Sequence, residues 1–564
     1  MSAPAALPPH RFYYLHNFEH ALRWLAQRYG DVLDASEQQF LQKFAQLQQD
    51  SRALLVRMLM RRGPWFRHSK LQYEEIADTT AAALPLQALG WLDPHAPMSV
   101  EELFDLYTRS ELQQLLAPWL PSGSSRKQDW LQHVLAQELP AQPPSLWCPK
   151  SQEPVWCVSE VIRQLCQRLR LMFFGNLRQH WSEFVLADLG VFRYETVDFP
   201  ASARAFSQRA DVDTYLAMQP CRDALDSDTL DAPALLEQLD QCRSTNPWLE
   251  RRRARLLMQL GQCCEKQRDY AAAQAIYAQC HWPGARQRHV RVLELQGAHA
   301  QALQLAQTAL QAPESEEEAQ KLQRMLPRLL RHAGTRMARR TAEAAQVESL
   351  LRLDLCLPPS PASHSVEYVL QAHWHTPQAP VFYVENTLIT ALFGLLCWPA
   401  IFAPLQGAFF HPFQSAPADF TVPDFAQRRA DLFAHCLSEL DDGRYRDTIR
   451  QRFADKHGVQ NPLVNWPALH AELLELALAC IPAVHLRALF ERLRADPRHH
   501  RTGLPDLIRF WPAEQRYEMV EVKAPGDKLQ DNQIRWLQYF VQHGIPARVC
   551  HVQWQTEEAA APCA

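Results

Sequence analysis

Toward its C-terminal end the chain reads Gly503-Leu504-Pro505-Asp506-Leu507 and then Val520-Glu521-Val522-Lys523. A turn closed by an acid precedes an alternating apolar run that finishes on Glu-x-Lys. Tyr517 to Val522 includes Met519, Val520 and Val522, and reads as a buried strand. Side chains two apart on a strand share a face, so Glu521 and Lys523 point into one site. Gly503 and Pro505 turn the chain so that Asp506 opens the preceding strand. Two carboxylates and one ammonium converging is the set that metal-assisted phosphodiester hydrolysis requires. Oxygen ligands suit Mg²⁺ or Mn²⁺. The metal polarises the phosphate and helps to generate hydroxide, and the lysine serves the attacking water or the developing negative charge. Downstream, Leu529, Gln533, Trp536, Leu537 and Phe540 fall at helical spacing. Gln533 is thus on a helix able to reach the site. Arg548 to Trp554 reads as a last strand.

Together these residues resemble the PD-(D/E)xK nuclease superfamily. The pattern GLPDL…VEVKAPGDKL…NQ…WL is similar to the signature of VRR-NUC domains. In those domains a segment like Val384 to Trp398, VENTLITALFGLLCW, forms a helix that carries an additional metal-binding glutamate. With the Tyr14 region and KLQYEEIA at Lys70 to Ala77, the chain resembles the Fanconi-associated nuclease family in its bacterial form, along nearly its whole length. The resemblance implies Glu385, Asp506, Glu521 and the Val522 carbonyl as metal ligands. It gives Lys523 the role of assisting the nucleophile, and Gln533 that of orienting water or the lysine. It also implies a metal-dependent phosphodiesterase that cuts near 5′ flaps, trims 5′-to-3′ and serves interstrand cross-link repair. Branched or flapped DNA would be its partner. Eukaryotic relatives use a basic pocket for a 5′ phosphate. Arg498 matches one such position, but Asn532 stands where they carry a basic residue. Their Cys/His-rich ubiquitin-binding finger has no counterpart, so recruitment through ubiquitin is not expected.

At 564 residues the chain has room for about three or four domains. With 47% hydrophobic and 21% charged residues it can bury several cores. The net charge of −4 requires any nucleic-acid surface to come from clustered basic residues. The 14 cysteines form no metal spacing and suggest buried thiols in a reducing compartment. The first residues, Met-Ser-Ala-Pro-Ala-Ala, lack the charged and apolar regions expected of a signal peptide, and the longest apolar run, Thr387 to Leu405, contains Pro399 and Pro404. No membrane partner is expected. The expected setting is a bacterial cytoplasm, with nucleoid association on DNA.

The expected architecture is multidomain: mostly α-helical N-terminal and TPR-like regions followed by an α/β PD-(D/E)xK nuclease domain. Its parts are a helical DNA-binding domain at 1–95, a SAP-like domain at 96–140, a TPR-like domain at 155–370 and a VRR-NUC nuclease at 371–564. Leu260, Gly261, Tyr270, Ala273 and Tyr277 supply part of the TPR pattern. Leu139 to Pro154, with five prolines, reads as a linker. Residues 12 to about 80 read as helical. Arg52, Arg57, Arg61, Arg62, Arg67 and Lys70 form a run without an acid, with Trp65 and Phe66 between them. That mixture suits a phosphate backbone and an exposed base, or else a solvated helix face with Trp65 in a core. In the SAP-like loop Ser124, Ser125, Arg126 and Lys127 offer phosphate contacts. Lys321, Arg324, Arg328 and Arg331 recur at helical spacing as a DNA track or a solvated ridge. Two other functions compete. A four-way-junction resolvase would need paired sites in a dimer, whereas a monomer is expected here. A non-catalytic scaffold would gain nothing from clustered acids.

Overall fold

The structure, a computed structural model, describes residues 11–121, 126–149, 153–183, 192–225, 230–334, 348–358 and 365–555. Ser124 and Ser125 lie outside these residues. The chain divides into two compact units, Met1–Arg193 with Arg204–Val212, and Tyr194–Ala203 with Asp213–Ala564.

In the first unit the apolar stripe Phe18, Leu22, Leu25 makes Tyr13–Tyr29 a helix with that face buried. Ala35–Gln46 follows, started by a capping box between Asp34 and Glu37, and then Gln49–Leu59. The helical reading ends there. Trp65–Arg67 is a short strand, β1, in a three-stranded antiparallel sheet with β2 (Leu92–Asp93) and β3 (Val155–Val158), ordered β1-β3-β2. Trp65 and Phe66 are buried at 6% and 3% exposure, so they form core and present no base platform. The proline-rich stretch is likewise no free linker. Pro144–Trp147 is a helical turn whose Trp147 is buried and donates from Nε1 to the Met98 carbonyl at 3.0 Å.

In the second unit, consecutive helices Pro247–Lys266, Tyr270–Gln279, Ala285–Leu295, His299–Gln311 and Glu316–His332 each pack on the next. Gly261 lets the first two close up, since a Cβ there would lie 2.6 Å from the Tyr277 ring. Beyond them comes a five-stranded sheet of β4 (Arg352–Leu357), β5 (Val381–Tyr383), β6 (Leu507–Trp511), β7 (Arg516–Lys523) and β8 (Ala547–Trp554). Its order is β4-β8-β7-β6-β5. The β4–β8 and β7–β8 pairs are parallel, and the other two pairs antiparallel. The sheet therefore starts upstream of residue 371.

The alternation along β7 explains its central place. Val520 and Val522 enter a core with Leu507, Val381, Cys550 and Val552 on the face covered by the helix Val366–Trp374. Tyr517 and Met519 enter the larger core on the other face, with Ile508, Phe510, Trp536 and Phe540. Glu521 and Lys523 continue that second face, where the apolar cover runs out. The helix Leu388–Leu396 is buried at all nine residues, which accounts for its unbroken apolar sequence. Among the described residues no single helix is long and apolar enough to cross a membrane.

Candidate active site

Three chain segments meet at the end of β7. The first is the turn between β5 and the helix Leu388–Leu396. Glu385 lies in this turn and not on the helix itself. The turn needs a positive φ, and Asn386 takes it at 52°, a conformation in which a short polar side chain is tolerated better than most. From there Asn386 bridges the site. Its Oδ1 accepts from the Leu504 amide at 3.1 Å and its Nδ2 donates to Glu385 Oε1 at 3.1 Å. Tyr383 donates to Glu385 Oε2 at 2.5 Å, and the Val384 amide donates to the Asp506 carbonyl at 2.8 Å.

The second segment is the turn into β6. Gly503 has a φ of +88°, and a Cβ on it would stand 2.8 Å from Asn532. Glycine is needed on both counts. Trp536 straps this turn down, donating from Nε1 to the carbonyls of His500 and Thr502 at 3.2 and 3.1 Å. Asp506 emerges 7% exposed, its Oδ2 accepting from the Val522 amide at 2.8 Å.

The third segment is β7 with the helix Asp531–His543 that follows. Gln533 is the N3 residue of this helix, and its Oε1 accepts from the Gln530 amide at 2.8 Å. That capping role fixes it at the mouth of the site. The same Oε1 accepts from Lys523 Nζ at 3.0 Å, while Gln533 Nε2 donates to Glu521 Oε1 at 2.5 Å. Lys523 Nζ also pairs with Glu521 Oε1 at 2.9 Å. Glu521 and Lys523 are 1% and 6% exposed. Glu385, Asp506, Glu521, Lys523 and Gln533 are thus brought into one polar cluster.

The electrostatics are those of a place short of positive charge. Burial, and then the charge of Glu385, push Asp506 up to about 6 against the donation from Val522. Burial, and then Asp506, push Glu521 up to about 8, with Lys523 opposing. Glu367 on the helix Val366–Trp374 adds to the field on Asp506, and the sequence pattern had not singled it out. Among the described residues no three His, Cys, Asp or Glu side chains stand together at ligating separation. The donor chemistry nevertheless fits a hard divalent cation. The groups are carboxylate oxygens, and two of them, raised by burial and by neighbouring carboxylates, would be favoured in their ionised form by a bound cation.

An ion-pair belt ties the helix Glu316–His332 to this region. Glu316 takes both Arg492 amino groups at 2.9 and 2.5 Å. Glu317 meets His499 Nε2 at 2.8 Å, and Asp496 meets its Nδ1 at 2.7 Å, which together push His499 up to about 9. Arg324 forks onto Asp531, the first residue of the Gln533 helix, at 2.6 and 2.5 Å. Joining residues up to 207 positions apart, the belt left no local trace in the sequence. Asn386 did leave one, since asparagine is favoured at a left-handed turn.

The residues expected to touch DNA fare unequally. Arg62, Lys70, Arg126 and Arg498 are exposed. Arg61 is exposed while its Nη1 donates to the Lys70 carbonyl at 2.8 Å. Arg67 is engaged within the fold. Its side chain is 12% exposed and is spent on Glu153, at 2.8 and 3.0 Å, and on Glu111 at 2.6 Å. Lys127 is half-buried, and its Nζ donates to the Tyr107 carbonyl at 2.8 Å. Arg328 forks onto Glu294 at 2.5 and 2.9 Å. With Lys321 on Glu317 at 2.6 Å and Arg324 on Asp531, three cations of the expected ridge are neutralised within the fold.

Three family models match the chain: FAN1, HTH domain over residues 12–93; Fanconi anemia-associated nuclease SAP domain over 97–147; and VRR-NUC domain over 440–554. The chain is 51% identical to the Fanconi-associated nuclease 1 homolog of Pseudomonas aeruginosa, over 98% of this chain and 97% of that protein. It is 24% identical to the homolog of Arabidopsis thaliana, over 97% of this chain and 67% of that protein. A crystal structure of paFAN1 bound to 5′ flap DNA of two nucleotides with a gap superimposes with a TM-score of 0.90 at 51% identity. That match covers 98% of this chain and 100% of the crystallised one.

Proposed function

The chain belongs to the Fanconi-associated nuclease family and is a nuclease, and from that premise we propose that it cuts DNA near the base of a 5′ flap and trims 5′-to-3′, using Mg²⁺ or Mn²⁺. The observation that carries this reading is the cluster of Glu385, Asp506 and Glu521 around Lys523 and Gln533. Two crystal structures of one relative, paFAN1, bound to 5′ flap DNA support the choice of substrate.

Glu385, Asp506, Glu521 and the Val522 carbonyl would hold the ion, which supplies Lewis-acid polarisation of the phosphate and a more acidic water. The chain's own part is positioning and charge. Lys523, fixed between Glu521 and Gln533, presents a buried ammonium that attracts the developing negative charge on the phosphate. Gln533 holds Lys523 and Glu521 at once, so that the ammonium and a ligating carboxylate keep one geometry. The Val522 amide keeps one oxygen of Asp506 engaged and thereby orients the carboxylate. Arg62, Lys70 and Arg126 are proposed as phosphate contacts, and Arg498 as a contact to DNA ends.

The test compares 5′ flap, 3′ flap, nicked, four-way and single-stranded DNA with Mg²⁺, Mn²⁺ or EDTA. Preferred incision of the 5′ flap, lost on chelation, is expected. Equal cutting of 5′ and 3′ flaps would remove the polarity, and cleavage in EDTA would remove the metal.

A further inference from the structure

The helix Glu160–Phe174 of the first unit carries Arg163, Cys166, Arg168 and Arg170. Arg168 is provided for, since its Nε donates to Glu37 at 2.6 Å. Arg170, two residues on, meets no carboxylate among the described residues, and its Nε is buried with no hydrogen-bond partner. Taking a guanidinium out of water without a counter-charge is costly. Elsewhere in the first unit Arg52, Arg57, Arg67, Arg204 and Arg209 pair with acids.

Arg170 lines a cavity of about 290 Å³ together with Arg61, Gly63, Arg163 and His180, and among the described residues no acid contributes to its wall. Among the described residues Arg163 pairs only with Glu160 on its own exposed helix face, a weak and mobile kind of pair. A Cβ on Gly63 would meet nothing within 4 Å, so there is room for a group to approach the main chain. In a protein whose net charge is −4, a cavity whose charged lining is cationic, set among Met58, Leu59, Val158 and Trp181, is not a by-product of general basicity. Burial and the charge of Arg170 hold His180 below its ordinary range, so at neutral pH it adds no further positive charge.

We propose that this cavity is a phosphate site that seats one backbone phosphate of the DNA, with Arg170 as its central ligand. The inference rests on the nuclease reading above and adds a contact that neither the basic run nor the family motifs point to. The two non-bridging oxygens of a backbone phosphate share one negative charge and can each accept from a different cation around one space.

The experiment uses the full chain with Arg170→Gln and Arg170→Lys. Fluorescence anisotropy with a 5′ flap DNA is measured from 50 to 300 mM salt. Arg170→Gln should bind about five- to tenfold more weakly, and its slope of log K against log salt should be shallower by about 0.9. Arg170→Lys should recover part of the slope. Cleavage at saturating DNA should stay at the wild-type rate, with only KM raised. The melting temperature without DNA should not fall in Arg170→Gln, because a half-buried charge without an acid partner has been removed. A lower melting temperature with an unchanged slope would make Arg170 structural and overturn the proposal. If inorganic phosphate raises the melting temperature of wild type but not of Arg170→Gln while the DNA slope is unchanged, the site takes a free anion, and the assignment to DNA fails. Wild-type protein that binds no flap DNA would sink the nuclease reading itself, whereas an unchanged slope beside normal wild-type binding sinks this inference alone.

Discussion

Asn386 offers a sharp perturbation, because its backbone and side-chain roles can be separated. Asn386→Gly keeps the positive φ at little steric cost and deletes both bridges. Asn386→Ala deletes the same bridges and adds a left-handed penalty of about 1 kcal/mol. The bond from the Leu504 amide is worth about 1 kcal/mol net, and the donation to the Glu385 carboxylate about 1.5 to 3 kcal/mol when sheltered. Glu385 is exposed, so the second figure falls toward about 1 kcal/mol. Asn386→Gly should therefore cost about 2 kcal/mol in stability and Asn386→Ala about 3. The catalytic loss comes from position. The Val384-to-Asp506 bond still ties the two turns, but Glu385 loses its register with Asp506, and a displacement near 1 Å costs about 100-fold. Single-turnover cleavage of a 5′ flap, titrated with Mn²⁺, should slow between about 10- and 100-fold in both variants, with a higher half-saturating Mn²⁺. Mn²⁺ titration by calorimetry, without DNA, should show the same weakening. If Asn386→Gly cleaves at the wild-type rate with unchanged Mn²⁺ affinity, the bridge does not position the site.

Asp506→Ala and Glu521→Ala should each abolish cleavage while DNA affinity holds or improves, because negative charge beside phosphates has been removed. Gel cleavage and anisotropy on the same preparations decide this, and full activity in either variant would undo the assignment. The raised acids also set a pH dependence in the metal-free protein. The folded state holds on to protons that the unfolded chain releases near pH 4.5, so stability should fall as pH rises from about 4.5 through about 8. A divalent ion needs those carboxylates ionised, so its stabilising effect should grow over the same interval. Thermal melts with and without Mg²⁺ measure both trends, and Glu521→Gln should flatten the metal-free one. An identical pH slope in wild type and Glu521→Gln would contradict the shift.

Much of the catalytic region was legible because its signals are local. Period-two alternation marks β7 within a residue at either end, and Trp536, Leu537 and Phe540 mark the helix behind it. The first unit was misread where a contact between distant residues decides a residue's role. Arg67 looks like a phosphate contact beside Arg61 and Arg62, until Glu153, 86 residues away, claims it. Trp65 and Phe66 sit in a basic run, yet β3 pairs with their strand and buries them. Arg328 is engaged by Glu294 in the same way. Charge patterns along a chain report which residues are basic. They do not report whether the fold has already spent them.

The order of the five-stranded sheet bears on how this enzyme can be dissected. The VRR-NUC match begins at residue 440, but β4 and β5 lie at 352–357 and 381–383 and pair with β8 and β6. A recombinant fragment starting at 440 would lack β4 and β5 and leave β8 and β6 as raw edges, open to pairing with another copy. It would also discard Glu385 and the fully buried helix Leu388–Leu396, exposing the apolar surface that packs against that helix. Such a piece is a recipe for inclusion bodies, and an inactive fragment of that kind would say nothing about the enzyme. A transplantable nuclease cassette has to begin ahead of Arg352, well upstream of the residues by which the domain is recognised.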